Sequence, residues 1–266
     1  MSVAGRLLWR NLIVFVIVMA ALLLPVMLLP VFRLGEIRIS GLSEISAPAI
    51  ESSSGLIKDQ HLLTGLGGSL THLLQLRYAK AEARLMADHP KIRQAVVRMD
   101  FPGKIAVDIE ERVEVAYLVV PDGCAVIDKE GVLMDILQQP PRDIPIIRGV
   151  TVTSMILGQP VRVDVPAALN SAITMMGAII DADRDERTSQ KLLPQIRTIM
   201  PVGGRKIFMT VILPSTGDEL NVSAELGQDV SEDLLWLRFA LEQGAFDGRG
   251  KGILDLTGSR RTFTPD

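Results

Sequence analysis

From Leu12 to Phe32 the chain runs for 21 residues without a charge, LIVFVIVMAALLLPVMLLPVF. As a helix rising about 1.5 Å per residue, such a run covers about 31 Å, roughly one bilayer hydrocarbon core. A segment of this kind is cleaved, buried in a large core, or seated in lipid, and each outcome fixes the surroundings of the rest of the chain. Pro25 and Pro30 lie toward its C-terminal end, where a kink or an early helix exit is tolerated. Arg6 and Arg10 precede it on a short stub, Trp9 stands where an interfacial anchor belongs, and Arg33 flanks the far end. A cleaved signal peptide is the competing reading, with Val18-Met19-Ala20 as a weak small-residue site. Its apolar core would measure about 7–15 residues, whereas here the apolar sequence continues well past that site. The expectation is a stub at 1–11 in the cytoplasm, one uncleaved transmembrane helix at 12–32, and translocation of the rest.

Charge divides the chain at the same place. Residues 1–33 hold three arginines and no acid, although the whole chain carries 28 basic and 31 acidic residues for a net of −3. Without those arginines 25 basic residues face 31 acidic ones, so the translocated part is acidic, and a dedicated nucleic-acid binder with a basic stripe is not expected. The chain is 48 % hydrophobic, enough for a folded core. Its single cysteine, Cys124, excludes an intrachain disulfide framework and any multi-cysteine zinc site.

Beyond the apolar run, Glu36–Ile39 alternates like a short strand, and Gly41 ends the pattern. Ser46 offers an N-cap and Pro48 a first turn for a helix ending near Gly55. After the glycines at 65, 67 and 68, Thr71 would cap a longer helix to about Asp88, with Leu74, Tyr78, Ala81 and Leu85 on one face. His89-Pro90 stops it. Ile92–Met99 and Lys104–Glu110 then read as strands around the turn Phe101-Pro102-Gly103, and Ile105, Val107 and Ile109 supply the period of two that buries one face. The order is β-α-α-β-β.

After Arg112 the strands shorten. Val115–Val120, Cys124–Asp128, Val132–Asp135, Ile196–Met200, Lys206–Leu213 and Glu219–Ala224 are strand candidates. Ala167–Ile180 reads as a helix with Asp181–Glu186 as its solvated exit. A second helix, capped by Asp229 or Ser231, carries Leu234, Leu237 and Leu241. Gly252–Leu256 makes a closing strand before a polar tail.

Residues 89–116 read HPKIRQAVVRMDFPGKIAVDIEERVEVA. This stretch resembles the second half of a POTRA domain as it occurs in the FtsQ/DivIB family of bacterial cell-division proteins. The matching positions are Pro90, Ile92, Ala95, Val97, Arg98, Pro102, Ile105, Val107, Ile109, Glu111, Arg112, Val115 and Ala116. Upstream, Ile37-Arg38-Ile39-Ser40-Gly41 resembles the first POTRA strand and its glycine. Downstream, Ile127-Asp128 with Gly131-Val132, Ile144-Pro145 with Ile147 and Gly149, and Leu254-Asp255-Leu256 resemble later elements of the family. Glu114 departs from the family's proline, Thr257 from its arginine, and Gly65–Ser69 lengthens the link between the POTRA helices.

The resemblance implies an α+β chain: one N-terminal transmembrane helix, a β-α-α-β-β POTRA domain at 36–112, a mixed β-rich domain with two helices at 113–258, and a polar tail at 259–266. It also implies a single-pass inner-membrane protein at the division septum, a non-enzymatic scaffold without small-molecule substrate. Its partners would be FtsB/DivIC-like and FtsL-like proteins and other membrane components of the divisome. A POTRA-type chaperone or secretion module is the alternative, but it needs a C-terminal barrel or tandem POTRA repeats. A membrane-anchored envelope hydrolase is a weaker one.

Catalytic chemistry is not found. His61, His72 and His89 lack the i, i+4 spacing of a helical zinc pair and have no acid or cysteine at ligand spacing, so no metal is expected. Gly-x-Ser-x-Gly and Ser-x-x-Lys patterns are missing, and Cys124 has no histidine near it in sequence. The glycines at 65–68 and 248–252 lack the strand-before, helix-after setting of a phosphate cradle, so no cofactor is expected. Glu110 and Glu111 point to opposite faces of a strand. Asp181, Asp183 and Asp185 form a solvated charge run rather than a calcium site.

What remains is binding surface. Gly252–Leu256 is a candidate edge strand whose unpaired main-chain groups would receive an incoming segment. Leu254 and Leu256 would give side-chain specificity, and Arg260 and Arg261 would attract an acidic partner. The expected partner-binding set is Leu254, Asp255, Leu256, Thr257, Gly258 and Arg260.

Overall fold

The structure is a computed structural model that describes residues 12–19, 21–22, 25, 29–140, 144–186, 189–258 and 260–265. The chain divides into two compact units, Met1–Glu111 and Arg112–Asp266.

In the first unit, residues 12–19, 21–22 and 25 are helical and exposed. Among the described residues no helix is long and apolar enough to cross a membrane. The expected stub 1–11 and positions 20, 23–24 and 26–28 of the expected span lie outside the described residues. The far end of that span is corrected: Pro30–Phe32 is a 3-10 turn belonging to the folded unit. The Phe32 carbonyl accepts the Leu62 N–H at 2.7 Å. Its ring stacks on His61 at 6.0 Å and lies 5.2 Å from Phe101.

Three strands follow, β1 (Glu36–Ser40), β2 (Ile92–Asp100) and β3 (Lys104–Glu111), in the spatial order β1-β3-β2. β1 runs parallel to β3 and β2 antiparallel to it. The alternating residues Ile105, Val107 and Ile109 turn inward to meet Ala95, Val97, Leu34 and Leu62 in one core. Helices α1 (Ala47–Ser54), α2 (Leu70–Leu74) and α3 (Ala79–Asp88) complete the unit, and Ile50, Ala81 and Leu85 enter the same core. The single helix expected from Thr71 to Asp88 is therefore two. Ser69, not Thr71, caps the first, its Oγ accepting the His72 N–H at 3.2 Å. The break arises because Leu76–Tyr78 is recruited by β2: Met99 N–H donates to Leu76 O at 2.9 Å and Tyr78 N–H to Val97 O at 2.8 Å. Leu76 takes a φ of 54° to make the corner. Tyr78, Ala81 and Leu85 are buried as their spacing predicts, but Leu74 falls on the wrong side of the break and is 86 % exposed.

The second unit is built on a nine-stranded sheet. Its strands are β4 (Ala116–Val120), β5 (Gly123–Ile127), β6 (Leu133–Leu137) and β7 (Ile146–Ile147). A separate pair follows, β8 (Val152–Ser154) and β9 (Arg162–Val163), before β10 (Ile196–Val202), β11 (Lys206–Ile212), β12 (Glu219–Glu225), β13 (Gly252–Asp255) and β14 (Thr262–Pro265). The order across the large sheet is β14-β13-β12-β11-β10-β7-β4-β5-β6. Helices α4 (Pro166–Ala182) and α5 (Val230–Glu242) bury Met175, Met176, Ile179, Leu234 and Leu237 in one core with Leu118, Ile199, Met209, Val222 and Leu254. A smaller cluster of Tyr117, Cys124, Val126 and Met134, backed by Ile144 and Ile146, accounts for the buried thiol. The architecture is α+β, a POTRA-like sheet unit and a β-rich unit with two helices.

Two expectations in this unit change. Asp229 precedes α5 without a side-chain capping bond. The acidic run after α4 is not uniformly solvated. Asp183 turns back to accept the N–H groups of Leu192 and Leu193 at 2.6 and 2.8 Å, and its carboxylate lies 3.6 Å from the fully buried Arg238. A buried guanidinium requires an anion or carbonyls around it, and this loop supplies both.

Candidate partner-docking edge

β13 is not the closing strand. It pairs parallel with β12 on one side and antiparallel with β14 on the other, with Gly252 opposite Pro265, Ile253 opposite Thr264, Leu254 opposite Phe263 and Asp255 opposite Thr262. The expected edge is therefore interior, and the tail expected to be merely polar provides the edge strand. The return of the chain depends on Gly252, where a Cβ would lie 2.5 Å from the Thr264 carbonyl oxygen and 2.7 Å from the Phe263 ring. Leu254 and Leu256 face the core at 1 % and 2 % exposure, so they hold the strand down and offer nothing to a partner.

The corner between β13 and β14 is closed by Asp255. Its carboxylate accepts the Thr257 N–H at 2.9 Å and the Thr257 hydroxyl at 2.7 Å, and these bonds hold it below the usual carboxylate range. Gly258 and Arg260 are exposed beyond the corner. Arg261 is not available to an acidic partner, because it binds Asp233 at 2.9 Å and Glu232 at 3.5 Å and lies over the Trp236 ring at 5.1 Å. It pins β14 to α5. Beside the corner opens a cleft of about 420 Å³ whose charged lining is Arg205, Glu225, Asp229, Glu232, Asp233 and Arg261. Acids outnumber bases there, so the local potential favours a cationic group.

The two ends of the large sheet differ. At β6 a neighbouring loop pairs with the start of the edge strand: Leu133 N–H donates to Gln159 O at 3.0 Å, and Gly158 N–H to Leu133 O at 2.8 Å. β14 ends the sheet on the other side. Phe263 points inward, 6.2 Å from the ring of Phe246, while Thr262, Thr264 and Pro265 are exposed. Pro265, lacking an N–H, is readily accommodated on such an edge.

The other singled-out residues brace the first unit or the start of the second. Gly41 has a φ of 80°, and a Cβ on it would meet the Ile109 carbonyl oxygen at 1.9 Å. Pro90 follows α3 and is half-buried, Ala95 is buried, and Pro102 is exposed in the β2–β3 turn. Arg98 pairs with Asp108 at 3.1 Å. Glu111 accepts the N–H groups of Ser43, Glu44 and Ile45 at 2.9, 2.9 and 3.1 Å, which fixes the loop after β1. Arg112 binds the buried Asp128 and lies 3.2 Å from Glu130. Asp128 in turn accepts the Glu130 and Val132 N–H groups at 2.8 and 2.9 Å, which shapes the β5–β6 turn.

The family model for the FtsQ-type POTRA domain matches residues 32–112. These residues are an FtsQ-type POTRA domain. The match supports the FtsQ/DivIB resemblance read from Gly41 and Pro90 to Ala116. No curated protein matches the chain.

The POTRA domain holds all three histidines, each in a different contact. His61 stacks on Phe32, His72 meets the Ser69 hydroxyl at 2.6 Å, and His89 meets the Ser53 hydroxyl at 2.7 Å. Among the described residues no group of three or more His, Cys, Asp or Glu side chains is placed to hold a metal ion. Sequence reading missed the POTRA domain's buried carboxylate. Glu82 is 4 % exposed, accepts Arg77 Nε and Nη2 at 2.8 and 2.9 Å, and also takes the Val97 N–H at 2.9 Å. Neither Glu82 nor Arg238 carries a spacing signal: Glu82 pairs with Arg77 and the Val97 N–H, and Arg238 with Asp183 and three carbonyls, partners that the fold brings in.

Proposed function

We propose that the protein is a membrane-anchored, non-enzymatic scaffold of the bacterial division machinery that captures an extended partner segment at the β14 edge. The observation that carries this reading is the position of Thr262–Pro265 as the terminal strand of the nine-stranded sheet, with Thr262, Thr264 and Pro265 exposed. An incoming strand would pair there through main-chain hydrogen bonds, and the alternate side chains Thr262 and Thr264 would read its sequence. The acid-rich cleft beside the Asp255 corner suits a lysine or arginine on that segment, which reverses the charge preference expected from Arg260 and Arg261. The FtsQ-type POTRA domain supports the division role, and the resemblance brings FtsB/DivIC-like and FtsL-like proteins as the partners. The apolar run from Leu12 to Leu29, ahead of the turn at Pro30–Phe32, supports a single-pass anchor with the N-terminus in the cytoplasm and the two folded units outside.

The test is a photo-crosslinking residue at Thr264, with one at Asp122 as an exposed control, in dividing cells that also carry a fluorescent fusion. The expected result is mid-cell fluorescence during constriction and a crosslink at position 264 to a small single-span division protein. Uniform fluorescence around the envelope would overturn the division role, and an unlabelled position 264 with mid-cell fluorescence would overturn the edge.

A further inference from the structure

The POTRA domain's exposed apolar side chains fall mostly in one segment. Among the described residues from 34 to 111, every exposed large hydrophobic except Met86 lies in the segment 57–76 or at Phe101. Leu70 and Leu74 are 81 % and 86 % exposed. The stretch 62–76, LLTGLGGSLTHLLQL, contains no Asp, Glu, Lys or Arg. Loops that face only water are rarely this poor in charge, and clustered exposed apolar residues mark an interaction site.

The topology places Leu63, Leu76 and Phe101 of this set where the chain arrives from its apolar run, and Leu74 lies two residues before Leu76. β1 and β3 begin, and β2 ends, at the same end of the sheet, with Glu36 and Asp100 both opposite Lys104. Phe101 sits in the turn that closes that end. Leu76 is tied to Met99 near the same end, and Leu63 follows Leu62, whose N–H binds Phe32. Gly35 N–H donates to Gly103 O at 2.8 Å, so the incoming chain is stitched to this turn directly. Between Phe32, the last residue of the uncharged run, and the fully buried Leu34 stands only Arg33. A bilayer around that run would therefore lie within a few residues of this end, each spanning at most about 3.6 Å.

We propose that this end of the POTRA domain, centred on Leu70, Leu74, Leu76 and Phe101, sits in the headgroup–acyl boundary of the bilayer. The proposal rests on the anchor reading above. Lipid, rather than a protein, is the occupant because attachment at Leu34 holds the patch against the membrane surface. The uncharged stretch 62–76 and the aromatic rim of Phe32 and Phe101 suit that depth, with Arg33, Glu36, Asp100 and Lys104 left at the level of the headgroups. The domain would thereby be fixed in orientation rather than swivelling on its anchor.

The test uses the full chain in vesicles of phosphatidylethanolamine and phosphatidylglycerol, with Cys124→Ala as the background and an environment-sensitive fluorophore on a single cysteine. Labels at Leu74→Cys and Phe101→Cys are compared with one at Glu110→Cys, which lies at the opposite end of the sheet. The expected result is a blue-shifted emission quenched by doxyl lipids at 74 and 101 and neither effect at 110. Leu70→Glu with Leu74→Glu should abolish lipid quenching at 101 while leaving the thermal transition unchanged. Co-flotation with vesicles but water-like emission at 74 and 101 overturns the proposal and leaves the anchor standing. A blue shift without doxyl quenching also overturns it, since a protein surface, such as a second copy, then covers the patch. Failure to float overturns the anchor and this proposal together.

Discussion

Arg238 Nη1 donates to the carbonyl oxygen of Ala182 at 2.7 Å, so a fully buried cation on α5 closes the last turn of α4. The same guanidinium reaches Asp185 O at 2.7 Å and Gln190 O at 2.5 Å, with Asp183 at 3.6 Å. Removing the cation would leave buried carbonyls and a carboxylate without their partner. Arg238→Met should destabilise the second unit by about 3–5 kcal/mol. Urea unfolding followed by Trp236 fluorescence checks this, and a loss below about 1 kcal/mol would mean that solvent reaches the site.

Glu111 gives the fold a pH dependence. Burial raises its carboxyl, but the N–H groups of Ser43, Glu44 and Ile45 together outweigh that and hold it below its ordinary value of 4.5. A depressed folded value contributes stability that is present above the unfolded value and lost as pH falls through the folded one. The POTRA domain's transition temperature should thus decline below about pH 4.5, and Glu111→Gln should be less stable at pH 7 with a flatter acid limb. Calorimetry between pH 3 and 7 checks both, and parallel limbs in the two proteins would refute the linkage.

Gly41→Ala should cost about 2–3 kcal/mol, because the added Cβ meets the Ile109 carbonyl in a left-handed conformation that L residues seldom adopt. A chemical melt that leaves the midpoint unmoved would show that the loop after β1 can yield.

The divided helix makes an unusual contrast between two leucines of one predicted stripe. Leu85→Ala should lose about 2–5 kcal/mol, whereas Leu74→Ala should change stability by less than about 0.5 kcal/mol. Comparable losses would restore the single continuous helix.

At the candidate docking edge, Thr262→Asp with Thr264→Asp should leave the melting temperature unchanged and weaken capture of the partner. Leu256→Asp should unfold the strand instead, since it places a charge in the core. Thermal melts run beside co-purification separate the two. Equal capture by the double aspartate variant would move the interface off β14.

The strands around Pro102 were legible because period two and turn chemistry act over a few residues. Ile105, Val107 and Ile109 needed no knowledge of their neighbours, and the order β-α-α-β-β with Gly41, Pro90 and Glu111 sufficed to suggest the POTRA resemblance. Helices α4 and α5 were visible for the same reason. The short strands β7 to β9 were not, because two or three residues carry no period.

The candidate site was legible only in region. Leu254 and Leu256 share a face, as alternation requires, but which face is buried depends on α4 and α5 lying over the sheet. Whether a strand is an edge depends on what pairs beside it, and Thr262–Pro265 looks like plain polar tail until Gly252 lets it return. The sequence by itself determined the 21-residue apolar run, the alternating strands and the acidic character of residues 34–266, since these depend on local spacing and composition. The tertiary structure alone decided the break at Leu76, the burial of Arg238 and Glu82, and the passing of the edge from β13 to β14, because each depends on pairing partners that no local spacing or composition marks.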